Sequence, residues 1–153
     1  MTTSEEKKMR PLKGGVCRLP SSPDDKGSLL GGKCGQCGSH FFPDYNNPSP
    51  KWVFCPVCHS KDVQDGVPLS TKGKVWTYTI SHTAYPGTPM TPPFIVAEVE
   101  LPEEVLVMTA ITDCPQDQVK IGMEVELDFI TTGKDSEGAE LKAYVFKPVQ
   151  EAK

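Results

Sequence analysis

The chain has 153 residues, 37% of them hydrophobic, with 15 prolines, 13 glycines, six cysteines and a formal net charge of −4. That length holds one ordinary domain or two small ones sharing a core, and the proline and glycine content favours short elements and turns over long helices. No run approaches 18 apolar residues, which excludes a membrane-spanning helix; the opening MTTSEEKKMRPLKGG lacks the apolar centre of a signal peptide, so a cytoplasmic chain with reduced or metal-bound cysteines is expected.

Residues 1–30 read as an irregular arm. They mix Lys, Gly, Pro and Ser without a sustained helical or strand period, as a segment does that is either disordered or laid over another surface. Residues 31–70 form the next segment. Its Cys34-Gly-Gln-Cys37 and Cys55-Pro-Val-Cys58 are separated by 17 residues, a spacing that reads as a four-cysteine zinc site. Two residues between cysteines let a tight turn aim both thiolates at one ion, and two such turns complete a tetrahedron. Four thiolates leave no open position, so the expected Zn2+ is structural. Cys55-Pro-Val-Cys58-His59 also fits the haem-attachment pattern, but that chemistry would need export and would leave Cys34 and Cys37 unexplained. His59 is expected to be a polar residue on the turn. Cys17 and Cys114 have no partner at ligand spacing and read as inert thiols.

From residue 71 to 153 the texture is that of strands. Five runs are rich in Val, Ile, Thr or aromatics and bounded by Gly, Pro or charge: Val75–Ser81, Phe94–Leu101, Val105–Ile111, Val125–Ile130 and Leu141–Lys147. Pro102–Glu104 reads as a tight hairpin turn, Thr132–Glu140 as a polar hairpin loop, and Asp113–Val119 as one short helical turn. The alternating Trp76, Tyr78 and Ile80 are expected to face the core, an aromatic ligand platform being the other reading. Glu98 and Glu100, and Glu124, Glu126 and Asp128, alternate as on a solvated strand face. The loop 82–93 holds four prolines and reads as a stiff projection suited to binding. The expected fold is mainly β: a zinc ribbon followed by a five-stranded OB-fold barrel.

Charge bears on function. Residues 1–72 carry a balance of +3, whereas residues 73–153 carry −7. A nucleic-acid-binding ribbon and barrel is the alternative that this fold suggests, but phosphate neutralisation dominates such binding, and no basic stripe is present. His40, His59 and His82 stand in no nucleophile–base arrangement, and no phosphate-loop or dinucleotide fingerprint occurs. A self-sufficient enzyme is therefore not expected.

Between about Leu29 and Pro148 the segments CGQCGSHFFPDY, CPVCHS, GKVWTYTI, PPFIVAEVEL and VKIGMEVELDF follow one another in an order that resembles the DUF35 family. Its members join a rubredoxin-like zinc ribbon to an OB-fold. The resemblance implies an accessory subunit of a thiolase-type or related acyl-CoA enzyme, one that helps shape the CoA site while a larger, thiolase-like subunit supplies the catalytic residues. Many members begin with a helical hairpin where this chain has its arm, and Asn46–Lys51 lengthens the loop between the cysteine pairs. The arm and long loop are similar to those of thiolases acting on aromatic acyl-CoAs. CoA brings phosphates and an adenine ring, so Lys72, Lys74, His82 and Tyr85 are the expected CoA contacts, on a face shared with the partner subunit.

Overall fold

The computed structural model describes residues 9–11, 16–22, 24–42, 51–84, 90–134 and 136–149. Among these residues there are ten strands: β1 (Met9–Pro11), β2 (Cys17–Arg18), β3 (Ser28–Cys34), β4 (His40–Phe41), β5 (Val63–Pro68), β6 (Lys72–Ser81), β7 (Phe94–Glu100), β8 (Leu106–Ile111), β9 (Glu124–Lys134) and β10 (Glu140–Pro148). No described residue lies in a helix; the expected helical turn after β8 is a hydrogen-bonded turn, with the Gln118 amide donating to the Pro115 carbonyl at 2.9 Å.

The last five strands close on themselves. β6 pairs antiparallel with β7 and β7 with β8; β8 meets β10 in parallel, β10 pairs antiparallel with β9, and β9 returns to β6. This is the five-stranded OB-type barrel that the sequence leads one to expect. Alternation fills it. Val125 and Leu127 of β9 are buried between Glu124, Glu126 and Asp128, and Val99, Val107 and Phe146 are fully enclosed. Full burial of each such side chain contributes about 1.5–3 kcal/mol. The Glu104 amide bonds the Leu101 carbonyl at 2.9 Å and closes the β7–β8 hairpin where it was expected.

The Trp76, Tyr78, Ile80 expectation is corrected. The β6–β7 register shifts between Val75 and Thr77, so the in–out alternation breaks there. Val75 is buried, Trp76 is 53% exposed and Tyr78 38%, while only Ile80 packs against the core.

Much of the arm lies on the barrel. β1 runs parallel to β10, with Met9 opposite Glu140, and β2 pairs with the start of β3. Val16, Cys17 and Leu29 are buried in the same cluster as the barrel core. The loop between β2 and β3 is drawn shut by Asp25, whose carboxylate accepts bonds from Arg18 at 2.6 and 3.0 Å, from the Ser21 amide and hydroxyl at 2.9 and 3.0 Å, and from the Gly27 amide at 2.9 Å.

Barrel closure leaves no room at Gly73. It sits on β6 opposite Val125, and a Cβ there would lie 2.6 Å from the Glu100 carbonyl oxygen and 2.8 Å from a Val99 methyl. Backbone cannot yield cheaply, so Gly73→Ala should destabilise the chain by about 1–3 kcal/mol in denaturant titration; an unchanged midpoint would contradict this packing. A second expectation concerns acid. The Arg18 guanidinium, helped by the Ser21 and Gly27 amides, holds the Asp25 carboxyl far below the usual carboxylate range. A depressed folded pKa stabilises above the unfolded value of about 4 and is lost as pH falls through the folded one. Asp25→Asn should therefore melt lower than wild type at pH 7, with the two converging under strong acid.

Candidate functional site

The four cysteines occupy two turns with the same backbone. In each, the first cysteine's amide donates to a serine carbonyl five residues on: Cys34 to Ser39 at 2.9 Å and Cys55 to Ser60 at 2.8 Å. In each, the fifth residue closes the turn onto the first cysteine's carbonyl: Gly38 to Cys34 at 3.0 Å and His59 to Cys55 at 2.9 Å. Two amides of each turn point at the first sulfur, Gln36 and Cys37 at Cys34 Sγ (3.3 and 3.4 Å), Val57 and Cys58 at Cys55 Sγ (3.3 and 3.5 Å). The closing residue has a left-handed backbone, φ 78° at Gly38 and 65° at His59. His59 therefore stands where this turn favours glycine, exposed and with its ring 6.0 Å from Phe54.

The turns bring all four sulfurs within 4.8 Å of one another, with Cys34–Cys58 at 3.5 Å and Cys37–Cys55 at 3.7 Å. A tetrahedron with metal–sulfur bonds of about 2.3 Å has edges of about 3.8 Å, so the cluster fits one tetrahedral, thiophilic divalent ion such as zinc. Electrostatics agree. Ser39 draws the Cys37 thiol down to about 6, whereas Cys58, despite the Ser60 amide that favours its thiolate, is pushed up to about 12 by burial and three neighbouring thiols. Four thiolates cannot coexist there without a cation between them. Cys34 and Cys55 are buried beside Phe41, Trp52 and Val63, a core too small to order the segment alone.

Cys17 and Cys114 lie outside this cluster. Burial raises the Cys17 thiol, and burial with the Asp117 charge raises that of Cys114, so neither is activated as a nucleophile. Glu103, in the β7–β8 turn, ties the ribbon to the barrel by accepting the Ser70 amide at 2.8 Å and its hydroxyl at 2.6 Å. Sequence reading passed over Glu103, because a lone carboxylate in a turn carries no pattern.

The expected CoA contacts separate into two places. Lys72 and Lys74 are exposed at the start of β6 and line a cavity of about 370 Å³ with Gly73, Glu100, Leu101, Pro102, Glu124 and Val149. Lys74 faces Glu100 on one side and Glu124 on the other, and Lys72 faces Glu126. His82 is exposed beyond the other end of the strand, roughly 25 Å from Lys74 at the usual rise per residue. Tyr85 lies outside the described residues.

Residues 66–129 match a family model described as the C-terminal OB-fold domain of ChsH2. A DUF35 domain-containing scaffold protein of Methanocaldococcus jannaschii is 34% identical over 80% of this chain and 82% of its own. A probable enoyl-CoA hydratase alpha subunit of Thermomonospora curvata is 34% identical over 65% of this chain but only 29% of its own. Among solved structures, an Ltp2-ChsH2(DUF35) aldolase superposes with a TM-score of 0.59 at 30% identity, covering 79% of this chain and 84% of the other.

The turn geometry makes two expectations testable. Elemental analysis should find about one metal ion per chain, lost in Cys55→Ser together with ribbon structure by circular dichroism; folded, metal-free wild-type protein would contradict the site. His59→Gly should keep the metal and raise stability by about 1 kcal/mol, because a left-handed backbone strains a residue with a Cβ. A drop in stability would show that the His59 ring contributes more than its backbone costs.

Proposed function

The chain belongs to the DUF35 family, and from that premise we propose that it is a non-catalytic zinc-ribbon/OB-fold subunit of a heteromeric, thiolase-type acyl-CoA enzyme, which it helps assemble and whose acyl-CoA site it helps form. The observation that carries this reading is the match, over four-fifths of both chains, to a protein named as a scaffold. Likeness to a chain of a two-protein aldolase, and to part of a hydratase subunit acting on enoyl-CoA, supports it. The bound ion is zinc, held by Cys34, Cys37, Cys55 and Cys58 in a closed, structural site. Catalysis belongs to the thiolase-like partner, and the complex works in the cytoplasm, where these thiols stay reduced.

CoA or acyl-CoA is the shared ligand. Lys72 and Lys74 offer the phosphates two cations, but Glu100 and Glu124 line the same cavity and cancel them. A polyanion would therefore bind weakly to this chain alone, and the partner completes the cation set. His82 and Tyr85, at the far end of β6, contact another part of the ligand or of the shared face. At its finest, the proposal is thiolytic cleavage of an aromatic acyl-CoA such as benzoylsuccinyl-CoA. Exposed Trp76 and Tyr78 favour the second reading, base stacking in a nucleic-acid-binding module, but the −7 balance of residues 73–153 opposes it, and nucleic acid is not among the proposed partners.

The test is a mutant series on the complex purified from the native source. Lys74→Ala and Tyr85→Ala should each raise the acyl-CoA KM several-fold with assembly unchanged. Loss of assembly would make these residues docking contacts instead. A lone chain that turns over an acyl-CoA would refute the subunit reading.

A further inference from the structure

Strand β6 changes neighbours along its length. From Lys72 to Lys74 it pairs with β9, and at Val75 the amide and carbonyl still bond the Met123 carbonyl and the Gly122 amide at 3.0 and 2.7 Å. Beyond Val75 no described strand lies on that side, while the β7 ladder on the other side runs on from Thr77 opposite Glu98 to Ser81 opposite Phe94. Alternation fixes which groups are left over. The Leu101 amide bonds Val105 across the hairpin at 2.9 Å, so Val99, Ala97 and Ile95 bond β8, and Glu98, Val96 and Phe94 bond β6 through Thr77, Thr79 and Ser81. The amides and carbonyls of Tyr78 and Ile80 therefore point to the open side, where no described residue meets them. Residues 77–81 contain no proline, glycine or formal charge, the devices that keep exposed edges apart, and the bulge at Trp76 lies before them. Such an edge is complementary to the backbone of an extended peptide.

Side chains narrow the choice of peptide. Thr77, Thr79, Val96, Glu98 and Met108 line a shallow groove of about 230 Å³ beside the edge. Glu98 is the only formally charged residue within 76–81, 94–99 and 106–111, and no described cation pairs with it. Just outside, Lys74 stands between Glu100 and Glu124, and Asp113 adds a further carboxylate, so the surroundings stay acidic. A residue placed across from Thr77 or Thr79 on an added strand shares their face. It lies two strand spacings from β7, about 10 Å, a gap that a Lys or Arg side chain and the Glu98 side chain cover between them. A second copy is the wrong occupant: its residues 76–81 hold no cation for Glu98, and it would bring another half with a balance of −7 against this one.

We propose that residues 76–81 accept an extended segment of the catalytic partner as a further strand, with a Lys or Arg side chain of that segment laid over Thr77 or Thr79 towards Glu98. This deepens the subunit reading given above and rests on it. Backbone bonds to Tyr78 and Ile80 supply the affinity, and the groove with its single carboxylate supplies the selection.

The full-length chain, tagged and expressed in its native host, tests this on the assembled complex. Hydrogen exchange read by mass spectrometry should find peptides covering 76–81 exchanging at least tenfold more slowly in the complex than in the free chain. Tyr78→Pro removes one outward amide and leaves the β7 ladder, whereas Tyr78→Ala removes the ring and keeps that amide. The thiolase-type subunit recovered with Tyr78→Pro should fall about tenfold below that recovered with Tyr78→Ala, at unchanged metal content. Glu98→Lys should lower recovery several-fold. Equal recovery with Tyr78→Pro and Tyr78→Ala, or unprotected 76–81 in the complex, would overturn the added strand and leave the subunit reading standing. Should Tyr78→Pro fail to fold, the exchange result on the wild type decides alone. Full recovery with Glu98→Lys would overturn the basic side chain. A free chain that sizes as a dimer with 76–81 already protected would make the occupant a second copy and the proposal wrong. Absence of any thiolase-type subunit from the wild type would overturn both readings.

Discussion

Convergence of four sulfurs on one point is the constraint from which the ribbon follows. Cys34 and Cys58 belong to turns far apart in the chain, yet their sulfurs lie 3.5 Å apart. Among the described residues the apolar core around them is Phe41, Trp52 and Val63 packed on two buried cysteines, too little to order a segment of this length. An ion between four thiolates would supply the missing cross-link and remove their mutual repulsion. From there order passes into the barrel by two routes. β3 runs from Cys34 back to Leu29, which is fully buried in the main core, and β5 leads to Leu69 and the Ser70–Glu103 bonds. An ion at that point would thereby bear on the surfaces of the barrel without touching them.

The barrel contributes a rigid frame and little chemistry. Its closure pairs β6 with β9 in a register that sets Gly73 opposite Val125, Lys74 directly across from Glu124 and Lys72 across from Glu126. Each exposed cation near the cavity is thereby matched by a carboxylate. The same alternation that solvates the strands sets a carboxylate beside each of these lysines, which is in keeping with the proposal of a ligand site completed by another chain. The bulge at Trp76 changes the phase of the strand, so that Val75 on one side and Ile80 on the other both reach the core while Trp76 between them stays exposed.

Cysteine spacing was fully legible because ligand geometry is local: two residues between thiols dictate the turn wherever it occurs. The five barrel strands were legible for a similar reason; the structure lengthens three of them, β6 beginning at Lys72 and not Val75, and shortens β7 and β8 by one residue each. What escaped was set by distant partners. β1 and β2 carry no strand period of their own and form because β10 and β3 present unpaired edges, Met9 meeting Glu140 across the whole chain. The Trp76 bulge depends on the register of β7, which no window around Trp76 contains. Of the four expected CoA contacts, Lys72 and Lys74 share a cavity, His82 is a strand's length away, and Tyr85 lies outside the described residues. The strand expected at Val75–Ser81 already stood between Lys74 and His82, so their separation was legible; the carboxylates of Glu100 and Glu124 facing Lys74 were not, because they come from distant strands.

The central claim of the proposed function is that a metal held by the four cysteines holds the fold and takes no part in the reaction of the complex. Zinc-edge X-ray absorption on the native complex, with and without bound acyl-CoA, tests it most directly. The account predicts four sulfur neighbours at about 2.3 Å in both states, with no change on substrate binding. A sulfur replaced by oxygen or nitrogen, or a coordination shell that opens when acyl-CoA is added, would contradict it.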